Sequence, residues 1–232
     1  MILEIACNNL DSVATAAANG ADRIELFSNI HEGGVTPSLG TMKGAVAYGL
    51  PVYAMIRPRG GHFCYSPREV ELLKWDIDSA HEAGVHGIVF GALTAQGEID
   101  RALCEMLLSY WGKPTTFHRA FDLLGSPFTA LDQLIEMGFE RVLTSGGAAS
   151  ALEGIAVIES LVAASKGRLQ ILAGAGINRG NVAAFSNIAG LEGVHTTAKR
   201  LKQEPTTASD RLWESDAEEI RAIKTVLDGN LE

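Results

Sequence analysis

The run TTFHRAFD at positions 115–122 places an imidazole (His118), a guanidinium (Arg119) and a carboxylate (Asp122) within five positions, at the end of a short β-type stretch. A strand needed only for burial would carry valine and isoleucine, because an ionisable group taken out of water without a partner is costly. The three groups therefore read as a site, with His118 as acid or base and Asp122 close by. The alternative is local: Arg119 pairs with Asp122 at a strand end, and His118 is a hydrogen-bonded core histidine.

Other stretches carry chemistry for holding an anion. In MIRPRGG, positions 55–61, Arg57 and Arg59 offer planar donors suited to carboxylate or phosphate, Pro58 restrains the loop, and two glycines let backbone amides approach a ligand. Ser145-Gly146-Gly147 and the segment from Gly174 to Gly176 resemble anion-binding nests near helix N-termini. Arg57, Arg59 and Arg119, with the amides around Ser145, Gly146, Gly174 and Gly176, form the expected binding set. The competing reading is a group of glycine turns with solvated arginines.

These groups need elements to position them. Gly20, Gly49, Gly84, Gly112, Gly138, Gly167 and Gly190 each close an amphipathic stretch and precede a β-rich run. Their spacing scatters around roughly 28 residues, the length of one strand, one helix and two short loops. The runs cover positions 2–7, 23–27, 52–58, 87–91, 114–121, 141–146, 169–174 and 192–197. Val70, Leu73, Ile77 and Ala80 recur at helical spacing, and Ser66-Pro67-Arg68-Glu69 is a capping box with proline at the first helical position. Thr36-Pro37, Ser126-Pro127 and the cap from Ser215 to Glu218 mark further helix starts. Eight βα units predict an α/β fold, an all-parallel TIM (β/α)8 barrel spanning residues 1–232 as one domain. The irregular stretch 198–214 reads as a mobile loop.

A barrel turns strand alternation into direction. Ile24 and Leu26 should face the helices, which sends Glu25 inward, together with Glu4, Met55, Arg57, Thr116, His118, Gln170, Leu172 and His195. Glu25 and Arg57, on adjacent strands, are expected to pair. Glu25 is also the expected carboxylate partner of His118.

Composition narrows the function classes. A formal net charge of -9 and a pI near 5.2 argue against nucleic acid or an anionic membrane as partner, since no basic run exists to displace counterions. The N-terminus enters a strand pattern without a basic segment or an apolar span of membrane length, so a cytoplasmic protein is expected. Cys7, Cys64 and Cys104 are odd in number and widely spaced, which predicts reduced thiols.

The motifs LEIAC (3–7), GADRIEL (20–26), GGVTPS (33–38), MIRPRGG (55–61), TFHRAFD (116–122) and RVLTSG (141–146) resemble those of the CutC copper homeostasis family. The resemblance implies a TIM barrel, a cytoplasmic protein, frequent homodimerisation, and copper binding. Cys7 matches a family cysteine, and is the implied metal ligand, but Phe27 stands where the family often has a second one. Cu(I) favours two or three converging thiolates or thioethers, for which Met55 and Cys64 are the remaining candidates. Two readings follow: a copper-binding homeostasis protein, or a barrel enzyme acting on a small anionic metabolite, phosphorylated or carboxylated.

Overall fold

The computed structural model describes residues 1–202 and 211–229. Eight parallel strands close into a barrel in chain order: β1 Ile2–Cys7, β2 Arg23–Leu26, β3 Val52–Met55, β4 Gly87–Phe90, β5 Thr115–Phe117, β6 Arg141–Thr144, β7 Gln170–Gly174 and β8 Gly193–Thr196. Helices α1 Leu10–Ala18, α2 Leu39–Val46, α3 Pro67–Ala83, α4 Arg101–Trp111, α5 Pro127–Met137, α6 Ile155–Ser165, α7 Ala183–Ser186 and α8 Ala217–Leu227 follow the strands. This is the TIM (β/α)8 architecture.

The main apolar core is the layer between barrel and helices, where Leu3, Ile5, Ile24, Leu26, Val52, Ala54, Ile88, Phe90, Val142 and Ile171 are buried. A second cluster, Ala6, Phe27, Tyr53, Met55 and Val89, fills the barrel interior. The alternation is the one that period-two side-chain direction demands. Cys7 and Cys104 belong to the outer layer.

Local signals explain most helix ends. The Ser66 hydroxyl accepts from the Glu69 amide and the Glu69 carboxylate accepts from the Ser66 amide, completing the capping box of α3. Gly84, Gly112 and Gly138 end α3, α4 and α5 in the left-handed region. Two expected caps lie elsewhere: Ser38 rather than Thr36 caps α2, and Asp216 rather than Ser215 caps α8. Thr36 is drawn away because its hydroxyl accepts from the Arg57 amide at 2.9 Å.

One strand is much shorter than its expected run. β5 ends at Phe117, and Arg119–Leu123 winds into a 3₁₀ turn whose first free amides are met by His118. Part of the stretch expected to be a loop is instead an antiparallel ribbon, β9 Lys199–Leu201 with β10 Trp213–Ser215; positions 203–210 lie outside the described residues. Among the described residues no helix is long and apolar enough to cross a membrane.

Candidate functional site

Alongside its small apolar cluster, the barrel interior carries polar groups from floor to mouth. At the floor, the Tyr53 ring lies between two guanidiniums, with Arg23 at 5.3 Å and Arg141 at 4.9 Å from its centroid. Arg141 donates to Thr116 at 3.1 Å and to Gln170 at 2.6 Å. Above them, the Glu4 carboxylate accepts from Arg23 Nε on one oxygen and faces His195 Nδ1 at 2.7 Å with the other. Those charges hold Glu4 down at about 2 even though burial alone would raise it.

Glu25 is treated differently by its surroundings. His195 Nε2 stands 4.0 Å from Glu25 Oε1, and Glu25 Oε2 is buried without a hydrogen-bond partner. Burial pushes this carboxyl up to about 7, with Glu4 adding to the rise and His195 and Arg23 opposing it. The two acids on neighbouring strands are thus driven to opposite ends of the carboxylate range.

His118 is also fixed by its surroundings. Its Nδ1 accepts from the Ala120 amide at 3.2 Å, so the single proton of the neutral ring is on Nε2, which is buried and unpartnered. Burial, reinforced by Arg57, depresses its pKa to about 3. The ring packs on Phe63 at 4.5 Å, and Gly91 leaves room for it, since a Cβ there would lie 2.6 Å from the imidazole.

Arg57 faces the same space. One terminal nitrogen donates to the carbonyls of Glu32 and Gly34 and the other to Gly61, while Nε is buried and unpartnered. The expected Glu25–Arg57 ion pair does not form: the guanidinium is taken up by the loops after β2 and β3, and among the described residues it has no carboxylate within ion-pair distance. Glu25, Arg57, His118, Arg119 and His195, with Met55 and Phe63, line one cavity of about 280 Å³ at the mouth. A larger open cavity of about 520 Å³, lined by Gly176, Asn178 and Lys199, shares Arg119 and His195 with it. Ala175 and Ala198, both on its wall, have left-handed φ of 98° and 42°, strain of a kind that accumulates at sites.

Several expected site residues serve other ends. Arg59 is turned from the mouth, held by Glu69 at 2.6 Å and by the carbonyls of His62 and Cys64. Asp122 is an acceptor within the wall: it takes the Thr144 hydroxyl (2.5 Å), the amides of Ser145 and Gly147 (3.1 and 3.2 Å), the Ser145 hydroxyl (3.0 Å) and Arg119 Nε (2.8 Å). The nest at Ser145–Gly147 is therefore occupied by the chain's own carboxylate, and the Gly146 amide donates to Thr144. Gly174 serves close packing, with Leu143 and His195 against it, whereas Gly176 does line the larger cavity.

Cys7 is absent from the mouth. It is sealed in the helix-facing layer and burial drives its thiol far up, so the expected thiolate ligand is not presented there. Cys104 is pushed up to about 12, and Cys64 lies on a separate cavity with His62 and Leu123. Among the described residues Met55 is the one that brings a sulfur to the lining of the mouth cavity, too few for Cu(I). Glu4, Glu25 and His195 do bring one donor atom each within 4.8 Å, yet Glu4 is already engaged by Arg23 and His195, and the adjacent guanidinium opposes a cation.

Sequence reasoning placed His195 in the interior without giving it a role, and missed Arg23 and Phe63. Arg23 was readable, being two residues before Glu25 on the same face. Phe63 sits in an irregular loop where no periodicity points.

The CutC family model matches residues 1–200. A family protein CutC from Pasteurella multocida is 44% identical, over 97% of this chain and 98% of its own length. The copper homeostasis protein cutC homolog of Homo sapiens is 44% identical over 87% of this chain and 74% of its own. The crystal structure of a CutC protein from Streptococcus agalactiae superposes with a TM-score of 0.81 at 33% identity, covering 85% of this chain and 98% of that one.

Proposed function

The chain belongs to the CutC family, and on that premise we propose that its part in copper homeostasis is carried out at the barrel mouth, on a small organic anion, in the reducing cytoplasm. One observation carries this reading: Glu25 Oε2, Arg57 Nε and His118 Nε2 are all buried, all without a partner, and all on residues lining one cavity. Native proteins satisfy nearly all such groups, and three of the six such atoms among the described residues belong to the lining of this one space, which favours a ligand that supplies both donors and acceptors. Arg57 and Arg119 favour a negative charge on it, and about 280 Å³ suits a compound of a few carbons.

Direct Cu(I) storage draws less support, because the thiols are sealed in the outer layer or isolated at the surface. A second copy of the chain is the proposed partner for the exposed apolar side chains Leu72 and Trp75 of α3 and Tyr110 of α4. Light scattering showing only monomers would remove that partner.

The mouth reading is tested by calorimetric titration with pyruvate, glycolate and glycerol phosphate. At least one should bind, and Arg119→Ala should weaken it roughly ten-fold through loss of a charge-assisted hydrogen bond. Failure of all three to bind, together with tight Cu(I) binding, would transfer the function to copper itself.

A further inference from the structure

We infer that the mouth abstracts a proton from the carbon next to a carbonyl group, with Glu25 as the base and the Nε2–H of His118 as the donor that holds the developing enolate oxygen. The inference rests on the proposed binding of a small organic anion and assigns that ligand a reactive group.

The geometry supplies each part. Because Nδ1 of His118 is engaged by the Ala120 amide, the remaining ring nitrogen of this cavity-lining residue can act only as a donor. A neutral imidazole donor is closer in acidity to an enol than an imidazolium is, and so stabilises an enolate without protonating it outright. Opposite in role is Glu25, a residue of the same cavity lining whose buried Oε2 has no hydrogen-bond partner and can only accept. Its carboxyl sits near neutral pH, where it is both sufficiently basic and available as carboxylate. The Arg57 guanidinium, which among the described residues has no carboxylate within ion-pair distance, supplies the positive field that an enolate and a ligand anion both need. Phe63, stacked against both Arg57 (4.8 Å) and His118 (4.5 Å), gives this corner an apolar wall.

The step balances without any further reactant. The Glu25 carboxylate takes the proton, the electron pair of the broken C–H bond forms a C=C bond, and the carbonyl π pair moves onto oxygen, which accepts from His118 Nε2–H. Return of the proton from Glu25 to the same carbon regenerates the starting compound. When Glu25 first exchanges its proton with solvent, the carbon acquires a solvent hydrogen.

The test is proton exchange in D2O followed by ¹H NMR, with pyruvate, dihydroxyacetone and dihydroxyacetone phosphate as probes. Wild-type protein should speed loss of the α-proton signal of at least one probe well above buffer. Glu25→Gln should reduce that exchange at least a hundred-fold while still binding the probe, and His118→Asn should lower the exchange rate more than the affinity. If Glu25→Gln does not fold, Glu25→Asp takes its place, with exchange reduced and binding kept. A probe that binds without exchanging above buffer overturns the inference and leaves the ligand site standing. Exchange that persists in Glu25→Gln also overturns it. If no probe binds, the ligand-site reading falls and takes this inference with it.

Discussion

The amide of Ala120 donates to Nδ1 of His118 across 3.2 Å, from the first turn of the 3₁₀ segment that His118 itself caps. One hydrogen bond thereby selects the tautomer, and burial beside Arg57 prevents the ring from taking a second proton. Nitrogen-15 NMR should find Nδ1 unprotonated and Nε2 protonated, with no titration of this ring between pH 8 and about pH 4. A ring that charges near its ordinary 6.5 would remove His118 as a fixed donor.

Glu25 makes stability depend on pH in the opposite sense to a paired carboxylate. The folded chain keeps its proton up to about 7, whereas the unfolded chain releases it near the ordinary carboxylate value. Between those values the native state binds more protons, so stability falls as pH rises through that window and levels off above it. In Glu25→Gln the fall should vanish, making the variant gain up to about 3 kcal/mol relative to wild type between pH 5 and pH 8 in urea denaturation.

The three thiols should separate by reactivity. Cys64 is the partly exposed one, while burial keeps Cys7 and Cys104 protonated. Treatment of the native protein with a disulfide reagent should label one thiol quickly and the other two only after denaturation. Cu(I) affinity, measured against a competing chelator, should be modest and should not change in Cys7→Ser; its collapse in that variant would restore the thiolate reading.

Asp122→Ala should cost about 3 kcal/mol, since it strands the Thr144 hydroxyl and the Ser145 amide inside the wall. Asp132→Ala, at an exposed carboxylate, should stay within about 0.5 kcal/mol. Equal losses from the two would show that the Asp122 cluster contributes little.

Strand direction was the most legible level of the sequence. Ile24 and Leu26 gave Glu25 its inward face, and the glycine spacing gave the barrel, because both depend on periodicities that a closed sheet enforces. Partner choice was less legible. Glu69 was readable as half of a capping box, but not as the carboxylate that also captures Arg59, since the second contact depends on how the loop after β3 folds back. Glu25 and Arg57 look like an ion pair on adjacent strands, yet loop carbonyls claim the guanidinium first. The pairing of His195 with Glu4 joins the two ends of the barrel, 191 positions apart, and only closure reveals it. The β9–β10 ribbon is built from polar residues whose pattern carries no strand signal.

The Asp122 carboxylate in the Ser145–Gly147 cradle behaves as a ligand sewn to its own receptor. A tethered group competes at an effective concentration of about millimolar or more, so a dilute free oxyanion does not dislodge it. The loop after β6 is thus a receptor occupied from the moment the chain folds, and it reports nothing about the metabolites around it. Recognition is left to the cavity beside it, where Arg57 has no carboxylate within ion-pair distance among the described residues, and the occupied cradle becomes the rigid jamb that holds Arg119 at its edge.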